Sequence, residues 1–228
     1  MLGGRQQWMS VSDLMAGLMM VFMFIAIVFM LQAQREQATV RQLALTYQEY
    51  QERLYEALLE EFENDLDSWG AELLDDNTIR FNEPDILFSR SSSEINDLFR
   101  AILSDFFPRY VALLYSDQFR DNIDEIRLEG HTSSLWQQSS QVEDSYIGNA
   151  RLSQERSLSV LDYIFRLDSI SQNREWLTTN IRANGLSYSQ RIMIDNTEDY
   201  ERSRRVEFKV MTKSEERVYT ILEALQND

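Results

Sequence analysis

Four groups of residues in this chain have types and spacings that suit chemistry. Asp13 is a carboxylate at the edge of an apolar run, in Ser10-Val11-Ser12-Asp13-Leu14-Met15-Ala16-Gly17-Leu18-Met19. Glu129-Gly130-His131-Thr132 ends an alternating, strand-like stretch. Asn149-x-x-Leu152-Ser153-x-x-Arg156 opens a helical pattern and puts an amide and a guanidinium on one face. Arg202-Ser203-Arg204-Arg205-Val206-Glu207 leads into a second alternating stretch. An acid inside a membrane suits proton uptake and release. A guanidinium beside hydroxyl and amide groups suits recognition of a carboxylate.

Composition removes most other chemistries. There is no cysteine, which excludes disulfides, thiol catalysis and thiolate metal sites. The single histidine, His131, leaves no room for a multi-histidine metal cage. No nucleophile–base pair or phosphate loop is present, so the chain reads as a non-enzyme without cofactor or bound metal. The formal charge of −16 argues against direct nucleic-acid binding, which needs phosphate-neutralising Lys and Arg. The acidic clusters Asp121–Glu125 and Asp195–Glu201 lack a calcium-loop pattern and read as solvated surface.

The elements that position these groups fall into three segments. Residues 1–31 form a tail and a transmembrane helix. Leu14–Leu31 has no charged side chain and would span about 27 Å as a helix, close to a bilayer's hydrocarbon thickness. It exceeds a signal-peptide core and lacks an A-x-A cleavage pattern, so it reads as an uncleaved anchor. Its positive flanks are nearly balanced, with Arg5 before and Arg35 and Arg41 after. The simplest orientation keeps the short N-terminus in the cytoplasm and translocates the large domain. Asp13 then has two readings: a helix-end acid stabilised by the macrodipole, or a functional intramembrane acid.

Residues 32–77 read as a helical, dimerising linker. Val40, Leu43, Tyr47, Tyr50, Leu54 and Ala57 alternate in steps of three and four, an a/d seam. The competing reading is an amphipathic helix packed on its own domain. Residues 78–228 read as an α+β domain, a two-layer α/β sandwich. Its expected strands are Ile79–Asn82, Ile86–Phe88, Asp124–Gly130, Ile181–Leu186 and Arg205–Met211. Its expected helices are Ser93–Tyr115, interrupted at Pro108, then Asn149–Leu167 and Glu215–Leu225. Arg204 and Arg205 read as ion-paired fold residues, and His131 as a hydrogen-bonding, ligand-orienting group.

The three C-terminal motifs, in order over Ile79–Met211, resemble the OmpA-like peptidoglycan-binding domain. The resemblance implies that His131, Thr132, Ser133, Asn149, Leu152 and Arg156 cradle the diaminopimelate of a stem peptide. The free amides of a helix starting at Asn149 would add to that anion site. The chain departs from the family at Ser133, where an Asp is usual. Ser133 can hydrogen-bond a ligand ammonium but cannot neutralise it, so Glu143 or Asp144 is a candidate substitute.

The segment around Asp13 resembles the transmembrane helix of MotB stator proteins, with closest likeness to the ZorB branch of Zorya anti-phage defence systems. That resemblance implies a proton-carrying Asp13, a homodimer, a MotA-like multi-spanning partner (ZorA-like), peptidoglycan anchoring and a bacterial inner-membrane location. The alternatives are a flagellar-type stator subunit or a passive tether between membrane and wall.

Overall fold

A computed structural model of the chain describes residues 3–82, 87–88, 92–135 and 141–213. The chain divides into two units, one ending at Tyr47 and a compact body over Gln48–Arg217. Helix α1 spans Gly3–Phe62. Within it, Leu14–Leu31 exposes every apolar side chain, as a lipid-facing segment must, and this is the one described helix long and apolar enough to cross a membrane. Asp13 falls in α1, but its side chain lies outside the described residues.

The compact body begins well before Thr78. Tyr50, Leu54, Leu58 and Phe62 are fully buried in the hydrophobic core, with Ala57 packed against it. These residues therefore face their own domain and not a second helix. A 3.5-residue seam and a 3.6-residue stripe nearly coincide over a few turns, so both readings fit the same spacing. The stripe continues through Leu66 and Trp69, but helix α1 has ended by then. A 3-10 turn, Asp67–Trp69, closes on Gly70 at φ 60°.

Five strands follow in one sheet: β1 (Ala71–Leu73), β2 (Thr78–Phe81), β3 (Ile123–Gly130), β4 (Ile181–Gly185) and β7 (Val206–Thr212). A small hairpin, β5 (Met193–Ile194) and β6 (Thr197–Glu198), stands apart from it. The sheet order is β1-β2-β7-β3-β4, antiparallel except for the parallel pair β3–β4. Strand β1 lies outside the expected strands, because three residues are too few for an alternation to register. Its turn into β2 holds Asn77 at φ 61°, and Asn77 Nδ2 donates to the Gln51 carbonyl on α1. Of the expected strand Ile86–Phe88, Ile86 lies outside the described residues, and Phe88 makes an isolated bridge to Ile95. The expected helix at Glu215–Leu225 lies outside the described residues as well.

Helix α2 (Asp97–Leu114) runs straight through Pro108, contrary to expectation. An interior proline costs about 3 kcal/mol. Phe106 and Phe107 before it, and Tyr110, Val111 and Leu114 after it, are all buried, and that gain outweighs the lost hydrogen bond. Phe106 stands at the centre of the core, with ring centroids 5.1 Å from Phe208, 5.3 Å from Phe81 and 5.3 Å from Phe62. Arg109 fastens the end of α1 to α2. Its guanidinium reaches Glu61 at 2.7 Å and Asp65 at 2.9 Å and lies over the Phe62 and Trp69 rings.

Helix α3 (Val142–Phe165) crosses from β3 to β4 and starts two turns earlier than Asn149. Helices α4 (Arg174–Asn180) and α5 (Tyr200–Ser203) are short. Two glycines let α3 lie on the strand ends. A Cβ on Gly130 would stand 2.4 Å from the Ser153 carbonyl oxygen, and one on Gly185 would stand 2.3 Å from the Gln154 nitrogen.

Alternation in β3 and β7 sends Ile126, Leu128, Val206, Phe208 and Val210 into the core. The other face carries charge. Glu129 and Glu207 are cross-strand partners, a repulsive placement unless cations intervene. Glu207 Oε1 receives Arg80 Nε and Arg205 Nε, each at 2.6 Å, while Oε2 stands 3.3 Å from His131 Nε2. Burial pushes the Glu207 carboxyl up, but His131 and Arg205 outweigh it and hold it well below the carboxylate range.

Two predictions follow from this packing, both read by urea denaturation of the full chain in detergent. Leu58→Ala costs about 2–5 kcal/mol, whereas Leu45→Ala, at a 52% exposed position, changes stability by less than about 0.5 kcal/mol. Equal effects would remove residues 48–62 from the core. Because the Glu207 value is lower folded than unfolded, its contribution is complete above the usual 4.5 and fades as pH falls below it. Glu207→Gln costs about 3 kcal/mol at neutral pH and flattens that acid slope. An unchanged slope would exclude Glu207 as its source.

Candidate functional site

The site forms where β3 ends against α3. The turn His131–Ser134 is held by four contacts with three other parts of the chain. His131 N donates to the Arg205 carbonyl at 3.0 Å, and Thr132 N donates to the Ser187 carbonyl at 2.9 Å. Ser134 N donates to Glu198 Oε1 at 2.9 Å, and Ser134 Oγ donates to Glu198 Oε2. Ser187, at φ 53°, ties this turn to α3: its N–H donates to Ser153 Oγ at 2.9 Å and its hydroxyl to the Tyr146 carbonyl at 3.0 Å.

His131, Thr132 and Ser133 are buried at this turn. His131 lies between two acids, with Nε2 at 3.5 Å from Glu129 and 3.3 Å from Glu207. These three residues offer ligand atoms within 4.8 Å of one another, the spacing of a metal site. Arg80 and Arg205 already occupy Glu207 Oε1, while neither ring nitrogen of His131 has a hydrogen-bond partner among the described residues.

Asn149, Ser153 and Arg156 are buried along the face of α3 that meets the turn, while Leu152 is half-buried on its flank. The helix starts at Val142, so its free first-turn amides belong to residues before Asn149. Asn149 contributes a buried side chain and no helix cap. Its Nδ2 and Thr132 Oγ1 have no hydrogen-bond partner among the described residues.

Arg156 extends away from α3. Its Nε donates to the Ser92 carbonyl at 3.0 Å, and its guanidinium lies 4.8 Å from the Phe88 ring centre. Among the described residues no carboxylate pairs with it. Burial, with repulsion from Arg204, lowers its proton affinity. A buried cation of this kind is a place where an incoming anion gains most.

Two expectations about charge need correction. Arg205 is ion-paired to Glu207 as expected, but Arg204 has no carboxylate partner among the described residues and stands close enough to repel Arg156. Glu198, read as part of a solvated acidic cluster, is buried and grips Ser134. Glu143 and Asp144 are exposed on the first turn of α3. Ser187 and Glu198 gave no signal in the sequence. Their partners lie tens of residues away, and a serine with positive φ has no composition signature.

No protein-family model matches the chain. Among solved structures it is similar to a MotB-like protein from Desulfovibrio vulgaris, at 21% identity over 78% of this chain and 99% of that one, with a TM-score of 0.46. It is also similar to the OmpA-like domain of FopA1 from Francisella tularensis, at 20% identity over 62% of this chain and 80% of that one, with a TM-score of 0.38. It is 41% identical over 223 residues to Zorya protein ZorB from Escherichia coli strain Crooks, covering 96% of this chain and 93% of that protein. With that identity over nearly the whole of both chains, the protein belongs to the ZorB family.

Proposed function

We propose that this chain is the wall-anchored, MotB-like subunit of a proton-driven Zorya motor that protects a bacterium against phage. The motor half of the reading rests on ZorB membership and on a carboxylate in α1 beside a membrane-length apolar stretch. The anchoring half rests on one observation: the buried Arg156 guanidinium has no acid partner among the described residues.

In this reading α1 lies in the inner membrane with a second copy beside it, inside a multi-spanning ZorA-like partner. The body lies in the periplasm. Asp13 alternates between ionised and protonated. Each neutralisation changes which partner conformation is preferred, so proton flow drives a two-state ring. Each unit charge crossing a 100 mV potential supplies about 2.3 kcal/mol. Arg156 holds a stem-peptide carboxylate, with Thr132 and Asn149 supplying hydrogen bonds. The wall-held pair is then the fixed element against which the ring moves.

Asp13→Asn keeps the side chain's shape but cannot titrate. It abolishes phage protection while membrane insertion stays at the wild-type level, and persistent protection would remove the proton role. Arg156→Ala weakens co-sedimentation of the detergent-solubilised full chain with purified sacculi by at least about tenfold, the scale of one charge-assisted hydrogen bond. The substitution also removes the Ser92 hydrogen bond and the Phe88 contact, so the variant's urea midpoint is measured alongside to separate lost binding from lost folding. Unchanged sedimentation would remove the anchoring role.

A further inference from the structure

The polar face of the sheet holds one acid that the arginines leave unanswered. Glu129 and Glu207 face each other across β3 and β7, and His131 follows two residues after Glu129, on the same side. Arg80 and Arg205 reach Glu207 at 2.6 Å. Glu129 is 6% exposed, and its one ion-pair neighbour among the described residues is His131. A buried carboxylate in that position needs a cation of its own. His131 is 1% exposed, and neither of its ring nitrogens makes a hydrogen bond among the described residues. Its Nε2 is aimed between the two acids, 3.5 Å from Glu129 Oε2 and 3.3 Å from Glu207 Oε2. A protonated imidazole would close on a carboxylate to about 2.7–2.9 Å, as the arginines do on Glu207 in the same cluster. Donors bound to Zn²⁺ at about 2.0–2.2 Å stand roughly 3.3–3.6 Å apart, the edge of its tetrahedron. Both His131 gaps have that length, and the three donor atoms lie within 4.8 Å of one another.

We propose that Glu129, His131 and Glu207 form a binding site for a zinc-class divalent cation, held by His131 Nε2 and one oxygen from each glutamate. A neutral imidazole with two carboxylates is a mixed N,O set that suits Zn²⁺ over Mg²⁺ or Ca²⁺. Glu207 offers Oε2, and the two arginines on Oε1 orient that carboxylate from outside the coordination sphere. A proton on Nε2 competes with the ion for the same lone pair, so protonated His131 is the rival occupant. The ion supplies the cation that Glu129 lacks and ties the end of β3 to the start of β7, just before the His131–Ser134 turn. A count of histidines points away from any metal. Strand pairing assembles the donors instead, from one histidine and two glutamates on different strands. The site uses none of Arg156, Thr132 and Asn149, so it stands or falls separately from the anchoring reading.

The test strips the full chain in detergent with a chelator, then equilibrates it with Zn²⁺, Mg²⁺ or Ca²⁺ before gel filtration. Wild type retains one Zn²⁺ per chain by elemental analysis. Zn²⁺ at a hundredfold excess over its dissociation constant raises Tm by about 5–10 °C, and Mg²⁺ and Ca²⁺ do neither. Glu129→Gln keeps the shape of the side chain and loses both the retained ion and the thermal shift. Co²⁺ in place of Zn²⁺ gives wild type the intense visible absorption of a tetrahedral site, a readout that needs no variant to fold. Wild type that retains no Zn²⁺, gains no thermal shift, or shows only the weak absorption of octahedral Co²⁺ overturns the proposal and leaves protonated His131 between the acids. Zn²⁺ retained equally by Glu129→Gln is bound elsewhere on this acidic chain, and that result overturns the proposal as well.

Discussion

Everything at the candidate site depends on how closely α3 approaches the ends of β3 and β4. The Ser153 carbonyl stands where a Gly130 Cβ would have to be, and Gln154 stands over Gly185 in the same way. Only at that separation can Ser153 Oγ receive the Ser187 amide while Ser187 holds Thr132. One helical turn along, Arg156 inherits its position from the same contact. A side chain at either glycine would force a shift of backbone against backbone, where little can yield.

The two charged regions of the body obey opposite rules. Across the polar face of the sheet, Glu72, Arg80, Glu207 and Arg205 share partners until nearly every charge is answered. Buried ions survive there because they neutralise one another. At Arg156 the pattern reverses: a buried guanidinium has a carbonyl and an aromatic ring for neighbours and is repelled by Arg204. Folding alone gains little from that arrangement. An anion arriving from outside would offset that charge.

Much of this was legible in the order of residues. Strands β3 and β7 alternate over seven or eight positions, enough for a period of two to stand out, and the three motifs marked the turn, helix and strand that build the site. The exceptions have physical causes. Strand β1 is too short to show a period. Asn149 favours helix starts, yet here it is buried inside α3 because the helix continues back to Val142. Pro108 reads as an interruption, but aromatic burial on both sides carries α2 through it. The stripe from Tyr50 to Phe62 fitted a partner helix as well as a core. Glu198 was hidden by its acidic neighbours, since a local cluster reveals nothing about a contact with Ser134, far back in the chain.

The end of α1 is built like a keyed axle. Tyr50, Leu54, Leu58 and Phe62 are seated among the rings of the body, and Arg109 bolts the final turn through Glu61 and Asp65 while covering Phe62 and Trp69. A twist applied to this stretch of helix meets interlocked aromatic rings instead of a slack tether. Slippage would require rotating bulky groups out of a close-packed interior, so mechanical load here is resisted by the same contacts that stabilise the fold.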